Sequence, residues 1–232
     1  MEQFFTPAFL LAVGQIIMID ILLGGDNAVV IALACRKVPD SQRTQGIVWG
    51  TVGAIVLRVV LIFFALTLLQ IPFLKLVGAA LLVWIGIKLL VPEEGDHSQV
   101  DGGERLWTAV KTVIVADLVM SIDNVIAIAG AAESVGGEHK MVLVIFGLLV
   151  SIPIIVAGSQ LVIRLMDRFP FVITLGGMLL GWIAGTMAVS DPALAAHLPD
   201  TDVLRYACGA AGALVVFAVG SVLARRANRV AS

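Results

Sequence analysis

The chain has 232 residues, 59% of them hydrophobic and 14% charged, with a formal net charge of −2. A soluble domain carries about 25% charged residues, so this composition excludes a soluble protein, and the lack of a basic arm or aromatic-basic patch excludes a nucleic-acid partner. Cys35 and Cys208 supply neither a disulfide framework nor a CxxC pair.

Runs of about 20 apolar residues suffice to cross a bilayer. Seven are predicted, at about 6–34, 46–69, 73–91, 107–132, 141–163, 171–189 and 203–224. The expected fold class is an all-α polytopic membrane protein with the lipid bilayer as its surroundings. The first run reads as a retained span: no Lys or Arg precedes it, it is too long for a signal h-region, and Asp20 and Asp26 interrupt it. Arg58, in the second span, is the one basic residue deep in a span. Residues 92–106 carry Glu93, Glu94, Asp96, His97, Asp101 and Glu104 among glycines and are expected to form an acidic cytoplasmic linker. The sixth span holds a small-residue stripe, Gly177, Gly181 and Gly185, that suits close helix packing. Basic residues after Leu223 read as a cytoplasmic anchor. With the N-terminus outside, eleven Lys and Arg fall on inside segments and three, Lys75, Lys140 and Arg205, on outside segments, so the positive-inside rule places the N-terminus outside and the C-terminus in the cytoplasm.

An internal repeat organises the spans. Asp20-Ile-Leu-Leu-Gly-Gly-Asp26-Asn27 returns as Asp117-Leu-Val-Met-Ser-Ile-Asp123-Asn124, 97 positions later. Gly50 matches Gly147 at the same offset, and Pro72, Gly78 and Trp84 match Pro170, Gly176 and Trp182 at an offset of 98. Residues 1–91 thus form a first three-helix repeat and residues 107–190 a second. Residues 203–224 are an extra helix. Because three is odd, the two repeats must be inverted, an architecture that transporters use to frame a mid-membrane site.

A charge at bilayer depth costs roughly 2.5–3.5 kcal/mol, so a duplicated pair of carboxylates needs a reason. Residues six apart on a continuous helix point about 240° from each other. A break at Gly24-Gly25 would let Asp20 and Asp26 converge, with Ser121 at the matching place in the second copy, where its hydroxyl could instead supply an oxygen. Together Asp20, Asp26, Asp117 and Asp123 offer four carboxylates, and Asn27 and Asn124 two amide oxygens. These are hard donors suited to magnesium, calcium or manganese. Met18 and Met120 lie close by; a thioether ligand favours manganese, and ordinary packing explains them as well. The histidines His97, His139 and His197 fall in loops. Arg58 is a candidate countercharge or gating partner, and it has no basic counterpart because Ile155 occupies the equivalent place. No Ser-His or Cys-His pair lies in the spans, so no enzymatic activity is expected.

At the paired motifs Asp20 to Asn27 and Asp117 to Asn124 the chain resembles the TerC family of bacterial membrane proteins, in particular its short, YjbE-type members. The resemblance implies a bacterial inner-membrane protein associated with manganese efflux, with Asp20, Asp26, Asn27, Asp117, Asp123 and Asn124 as ion-site residues. The expected function is export of divalent cations, manganese first, as substrate and with no tightly bound cofactor. No P-loop is present to drive it, and proton antiport through an Asp is the simplest coupling. The competing expectation is a non-transporting membrane partner with a structural ion site.

Overall fold

The computed structural model describes residues 25–68, 71–91, 102–133, 140–195, 197–199 and 201–230, together with Gly14, Ile17 and Met18. Within them the side chains of 65–68, 123–133, 140–144, 195 and 228–230 lie outside the description. All regular structure among these residues is helical: α1 Gly25–Cys35, α2 Asp40–Leu68, α3 Leu74–Leu90, α4 Gly102–Glu133, α5 Lys140–Arg168, α6 Phe171–Val189, the single turn α7 Pro192–Ala195, and α8 Asp202–Val230. Four segments are long and apolar enough to cross a membrane, Asp40–Phe64, Ile145–Arg168, Phe171–Val189 and Asp202–Ala227. Of the other three expected spans, α3 has 17 residues, about 25 Å at 1.5 Å per residue, short of the ~30 Å hydrocarbon core. The first runs largely through residues outside the description, and the fourth lies within α4, whose side chains from residue 123 onward are outside it.

Helix ends depart from the expected boundaries where local chemistry extends them. The second helix begins at Asp40 rather than near residue 46, just after Pro39, with Asp40 and Arg43 paired at 2.7 Å in its first turn. The expected linker 92–106 is too long at its end: Gly102 to Leu106 are already the first turn of α4, where Glu104 complements the helix dipole. Residues 92–101 lie outside the description. The basic residues after Leu223 continue α8 as helix to Val230 and do not form a separate tail.

Contacts at glycines fix the helix directions. Gly50 lies against Val113 and Arg58 against Ser121, so α2 and α4 run parallel. Gly78 meets Met187 while Gly86 meets Leu180, so α3 and α6 run antiparallel. In α6, a Cβ on Gly181 would strike the Gly212 carbonyl and one on Gly185 the Cys208 carbonyl of α8, also antiparallel. The small-residue stripe therefore serves close packing, with Gly177 facing Leu90 of α3 instead. Gly46 at the start of α2 meets Leu106 at the start of α4 and Cys35, whose neighbour Arg36 bonds Leu89 at the end of α3. Gly78 near the start of α3 instead meets Val119 farther along α4, so α2, α4 and α6 share one direction and α3 and α8 take the other.

The core forms around α1. Its residues Val30 to Cys35 are all buried, as expected for a helix apolar on every side. Leu33 of α1, Leu82 of α3 and Leu180 of α6 are fully buried in one cluster with Val113, Ala116 and Met120 of α4. Outside, Trp49, Phe63, Trp84, Trp107, Phe146 and Leu161 are each more than half or about half exposed. That is far more apolar surface than a soluble monomer shows, and hydrocarbon would cover it.

α3 is clamped at both ends by side chains of matching charge. At its start, Asp191, fully buried just past α6, accepts hydrogen bonds from the backbone N–H of Phe73 at 2.9 Å, Lys75 at 3.0 Å and Leu76 at 3.2 Å, and from Ala193 at 2.8 Å. Phe73 holds a left-handed φ of 66°, uncommon for a bulky residue, which presents its N–H to that carboxylate. At the other end, Arg36 Nη2 donates to the Leu89 carbonyl at 3.1 Å and Lys37 Nζ to the Val91 carbonyl at 2.9 Å. Acid at the N-terminus and base at the C-terminus both oppose the helix dipole.

Burial alone would raise the Asp191 pKa, but the four N–H donors outweigh it and hold the carboxyl below its ordinary value. Its contribution to stability is therefore full above the usual carboxylate pKa of about 3.9 and is lost as pH falls through the lower folded value. Asp191→Ala is expected to destabilise the protein by about 1–3 kcal/mol, with Asp191→Asn costing less, as read from the thermal midpoint in detergent across pH 3–7.

Candidate functional site

The first motif copy enters the described structure at the start of α1. Asp26 sits in the first turn, where its Oδ1 accepts the Asn27 backbone N–H at 2.9 Å and faces the positive end of the helix. Asn27 follows on the buried face, 3% exposed. Neither its Oδ1 nor its Nδ2 has a hydrogen-bond partner among the described residues. A buried amide left this way costs about 1–3 kcal/mol per unsatisfied group, so the arrangement needs an explanation. Gly25 opens α1, and Asp20 and Gly24 lie outside the described residues.

The second copy lies inside α4. Asp117 is 6% exposed and pairs with Arg58, 3% exposed, whose Nη2 lies 2.5 Å from Asp117 Oδ1. Ser121 closes the group: its hydroxyl accepts from Arg58 Nε at 3.1 Å and donates to Asp117 Oδ2 at 3.1 Å. The helix register explains the meeting. Gly50, Ala54 and Arg58 form one stripe of α2 at spacings of four, and Val113, Asp117 and Ser121 form one stripe of α4 at the same spacing. Gly50 has no side chain to hold Val113 away, so the two helices approach closely enough for the buried pair to form.

The two copies meet. Asp26 lies within electrostatic reach of both Arg58 and Asp117. Asn27, Asp117 and Met120 line a small cavity with Val30, Ile31 and Val113, about 10 Å³ in volume and so close to the minimum that holds one water. It lies between α1 and α4 and places an amide, a carboxylate and a thioether around one point.

The integral membrane protein TerC family matches residues 5–229 of the sequence. The chain belongs to the TerC family. It is 44% identical over 186 residues to membrane protein YjbE of Bacillus subtilis (strain 168), covering 80% of this chain and 83% of that protein. It is 28% identical over 188 residues to membrane protein YceF of the same organism, covering 77% and 70%. It is also 24% identical to the UPF0053 protein YegH of Escherichia coli (strain K12), covering 75% of this chain and 36% of that longer one. No solved structure matches. The TerC chain is accordingly a multi-pass integral membrane protein, and the names of these relatives state no activity.

Several expectations about the site change. Ser121 does not break its helix: α4 is continuous from Gly102 to Glu133, because the serine side chain bonds to Asp117 and Arg58 and leaves the backbone ladder intact. Asp117 and Asp123 therefore sit on different faces of one helix. The Asp123 and Asn124 side chains and all of Asp20 lie outside the description, so the expected four-carboxylate set falls partly outside it; among the described residues no three His, Cys, Asp or Glu cluster. Met18 is 62% exposed whereas Met120 is buried in the cavity wall, so the two methionines do not play matching parts. Sequence reading assigned Arg58 no definite partner; the available signal was the Gly50-to-Arg58 stripe.

Breaking a buried ion pair from one side leaves an uncompensated charge and costs about 3–5 kcal/mol. Arg58→Gln and Asp117→Asn are each expected to lower stability by about that amount. The double variant should recover at least half of the loss, a coupling that a thermal-unfolding double-mutant cycle measures.

Proposed function

We propose that this TerC chain exports divalent metal cations, manganese first, from the cytoplasm of a bacterium across its inner membrane. The carrying observation is the buried, unpartnered Asn27 amide beside Asp117, at the contact of the two motif copies. A polar group held dry without a partner is what a site prepared for a ligand contains. The donors are hard oxygens, which suit a dication better than an organic substrate. Asp20, Asp26, Asp123 and Asn124 complete the proposed ion site from the remainder of the repeated motif.

The proposed framework is seven spans, with residues 1–91 and 107–190 as inverted repeats and the N-terminus outside. Helix directions support it: α2, α4 and α6 run one way and α3 and α8 the other, the alternation that successive crossings require. Reciprocal packing supports it too. Gly78 of α3 meets Val119 of α4, and its repeat counterpart Gly176 of α6 meets Val29 and Leu33 of α1. One repeat rocking against the other would expose the site alternately to each side.

Charge balance supports coupling to protons. Four aspartates and one arginine leave three negative charges in the two motifs, since Ile155 stands where the second arginine would be. A dication neutralises two of them and one proton the third. Arg58 holds Asp117 while the site is empty and must give way when a dication arrives, because two cations at one carboxylate repel. The reading involves no covalent step and no enzyme activity.

Asn27 provides the sharpest test. With its amide unpaired in the ion-free protein, Asn27→Ala should leave stability unchanged or raise it by about 1 kcal/mol, yet reduce manganese efflux at least tenfold in loaded proteoliposomes. Normal flux with lowered stability would instead assign the residue a structural part and favour the non-transporting membrane partner. Efflux that ignores an imposed pH gradient would remove the proton from the scheme.

A further inference from the structure

At the end of the bundle where α3 and α8 finish and α6 begins, a cavity of about 250 Å³ opens to the surface, lined among others by Arg36, Leu90, Ile173, Thr174, Ser221 and Ala224. Among the described residues no carboxylate lies in its wall. Thr51, Ser159 and Thr186 spend their hydroxyls on carbonyls of their own helices. Thr174 and Ser221 make no such bond among the described residues and keep donors for a guest.

Several basic side chains of the described residues surround it. Arg225 lies one turn beyond Ser221 on the same face of α8 and is exposed. Arg168 ends α5 two residues before Pro170, and Lys37 sits beside Arg36. Among the described residues the acids nearest in sequence are Asp40, paired with Arg43, and the exposed Asp167; Glu93 and Glu94, which follow Leu90 in the chain, lie outside the description. The first turn of α6 has no side-chain cap, so its dipole adds to the positive potential. One side of the cavity is apolar through Leu90, Ile173 and Ala224, and Phe171, Val222 and Leu223 are exposed next to it in sequence.

We propose that this cavity binds the phosphate headgroup of an anionic glycerophospholipid from the leaflet at the basic end of the bundle. The hydroxyls and Arg36 receive the phosphate, Arg225 covers it from the surface, and the apolar side takes the glycerol and the start of the acyl chains. Basic pockets between membrane helices commonly hold such headgroups. A free soluble phosphate shares the charge chemistry but has no use for the apolar wall. The site lies at one end of the bundle, away from Asn27 and Asp117, and stands independently of the transport reading.

The test uses the purified full-length chain in a neutral detergent, titrated with phosphatidylglycerol or phosphatidylethanolamine and followed by native mass spectrometry. Retained phosphatidylglycerol, at least tenfold over phosphatidylethanolamine, is the expected result. Arg225→Gln should weaken retention about fivefold, the effect of one basic residue at a membrane surface, and Ser221→Phe, which fills the mouth, should abolish it. Arg205→Gln, at the opposite end of the bundle, should leave it unchanged. Thermal midpoints of the lipid-free variants identify any that misfold; Arg225 is exposed, so its variant keeps the test decisive. Equal retention of both lipids, or retention that survives both substitutions in folded protein, would overturn the proposal. So would displacement of phosphatidylglycerol by millimolar inorganic phosphate, which would assign the cavity to a soluble anion.

Discussion

The Arg58–Asp117 pair is the constraint on which the centre of this molecule depends. Two opposite charges, both nearly sealed from outside, are tolerable only because they lie together and because Ser121 satisfies both. Desolvation makes such a pair weak as a source of stability and strong as a source of specificity for register. Sliding α2 by one turn along α4 would take Arg58 away from Asp117 and Ser121 and strip the buried Asp117 carboxylate of the guanidinium paired with it. The pair thus fixes how α2 lies on α4, and through α4 it fixes where Asp117 stands relative to α1.

A second set of contacts holds the outer wall still around that centre. α3 is apolar along almost its whole length, and side-chain packing in hydrocarbon discriminates poorly between positions along a helix axis. Asp191 at one end and Arg36 with Lys37 at the other remove that freedom. Each reaches backbone groups that a helix terminus leaves unpaired, so a shift of α3 in either direction would expose one set or the other. The glycines of α6 do similar work sideways. With backbone meeting backbone at Gly181 and Gly185, α8 can approach α6 in one register, and the close contact replaces a hydrophobic drive that lipid does not supply. Cys208 takes part through its carbonyl, which lies against Gly185.

Much of this was legible in the residues and some was not, for identifiable reasons. The helical class follows from composition, and the packing role of the Gly177, Gly181 and Gly185 stripe from spacing. Arg58 drew attention as the one deep basic residue, but its partner depended on how two helices lie on each other, which spacing within one helix does not encode. The continuity of α4 through Ser121 was hidden because serine is compatible with a helix, a break or a ligand role, and only its hydrogen bonds decide. Asp191 belongs to neither motif copy, and its part depends on the start of α3 lying beside the end of α6. The Asp-Pro step directly after an apolar span was the signal, since an aspartate before proline favours a turn and leaves its carboxylate for nearby N–H groups. Helix ends were misjudged wherever polar residues continued a helix beyond its apolar part, as at Asp40 and after Leu223. Hydrophobicity marks burial in lipid, whereas the backbone follows propensity and capping.

The two motif copies share a sequence and differ in physical state, and the difference has one source. In α4 the aspartate is neutralised within the fold, because α2 brings an arginine to it. In α5 the position equivalent to Arg58 is Ile155, buried among apolar neighbours, so the repeat cannot supply the same cation to the first copy. An exact duplication would have produced two internally neutral pairs and no unmet polar demand between them. With isoleucine at that position the described structure holds a paired Asp117 in one copy and, at Asn27 in the other, a buried amide that nothing among the described residues satisfies. Such a group is retained against a cost of folding free energy only if something else meets its hydrogen-bonding demand. The asymmetry between Arg58 and Ile155 therefore separates the two copies where the repeated acids do not, and the unmet polar demand at Asn27 lies on the side without the arginine.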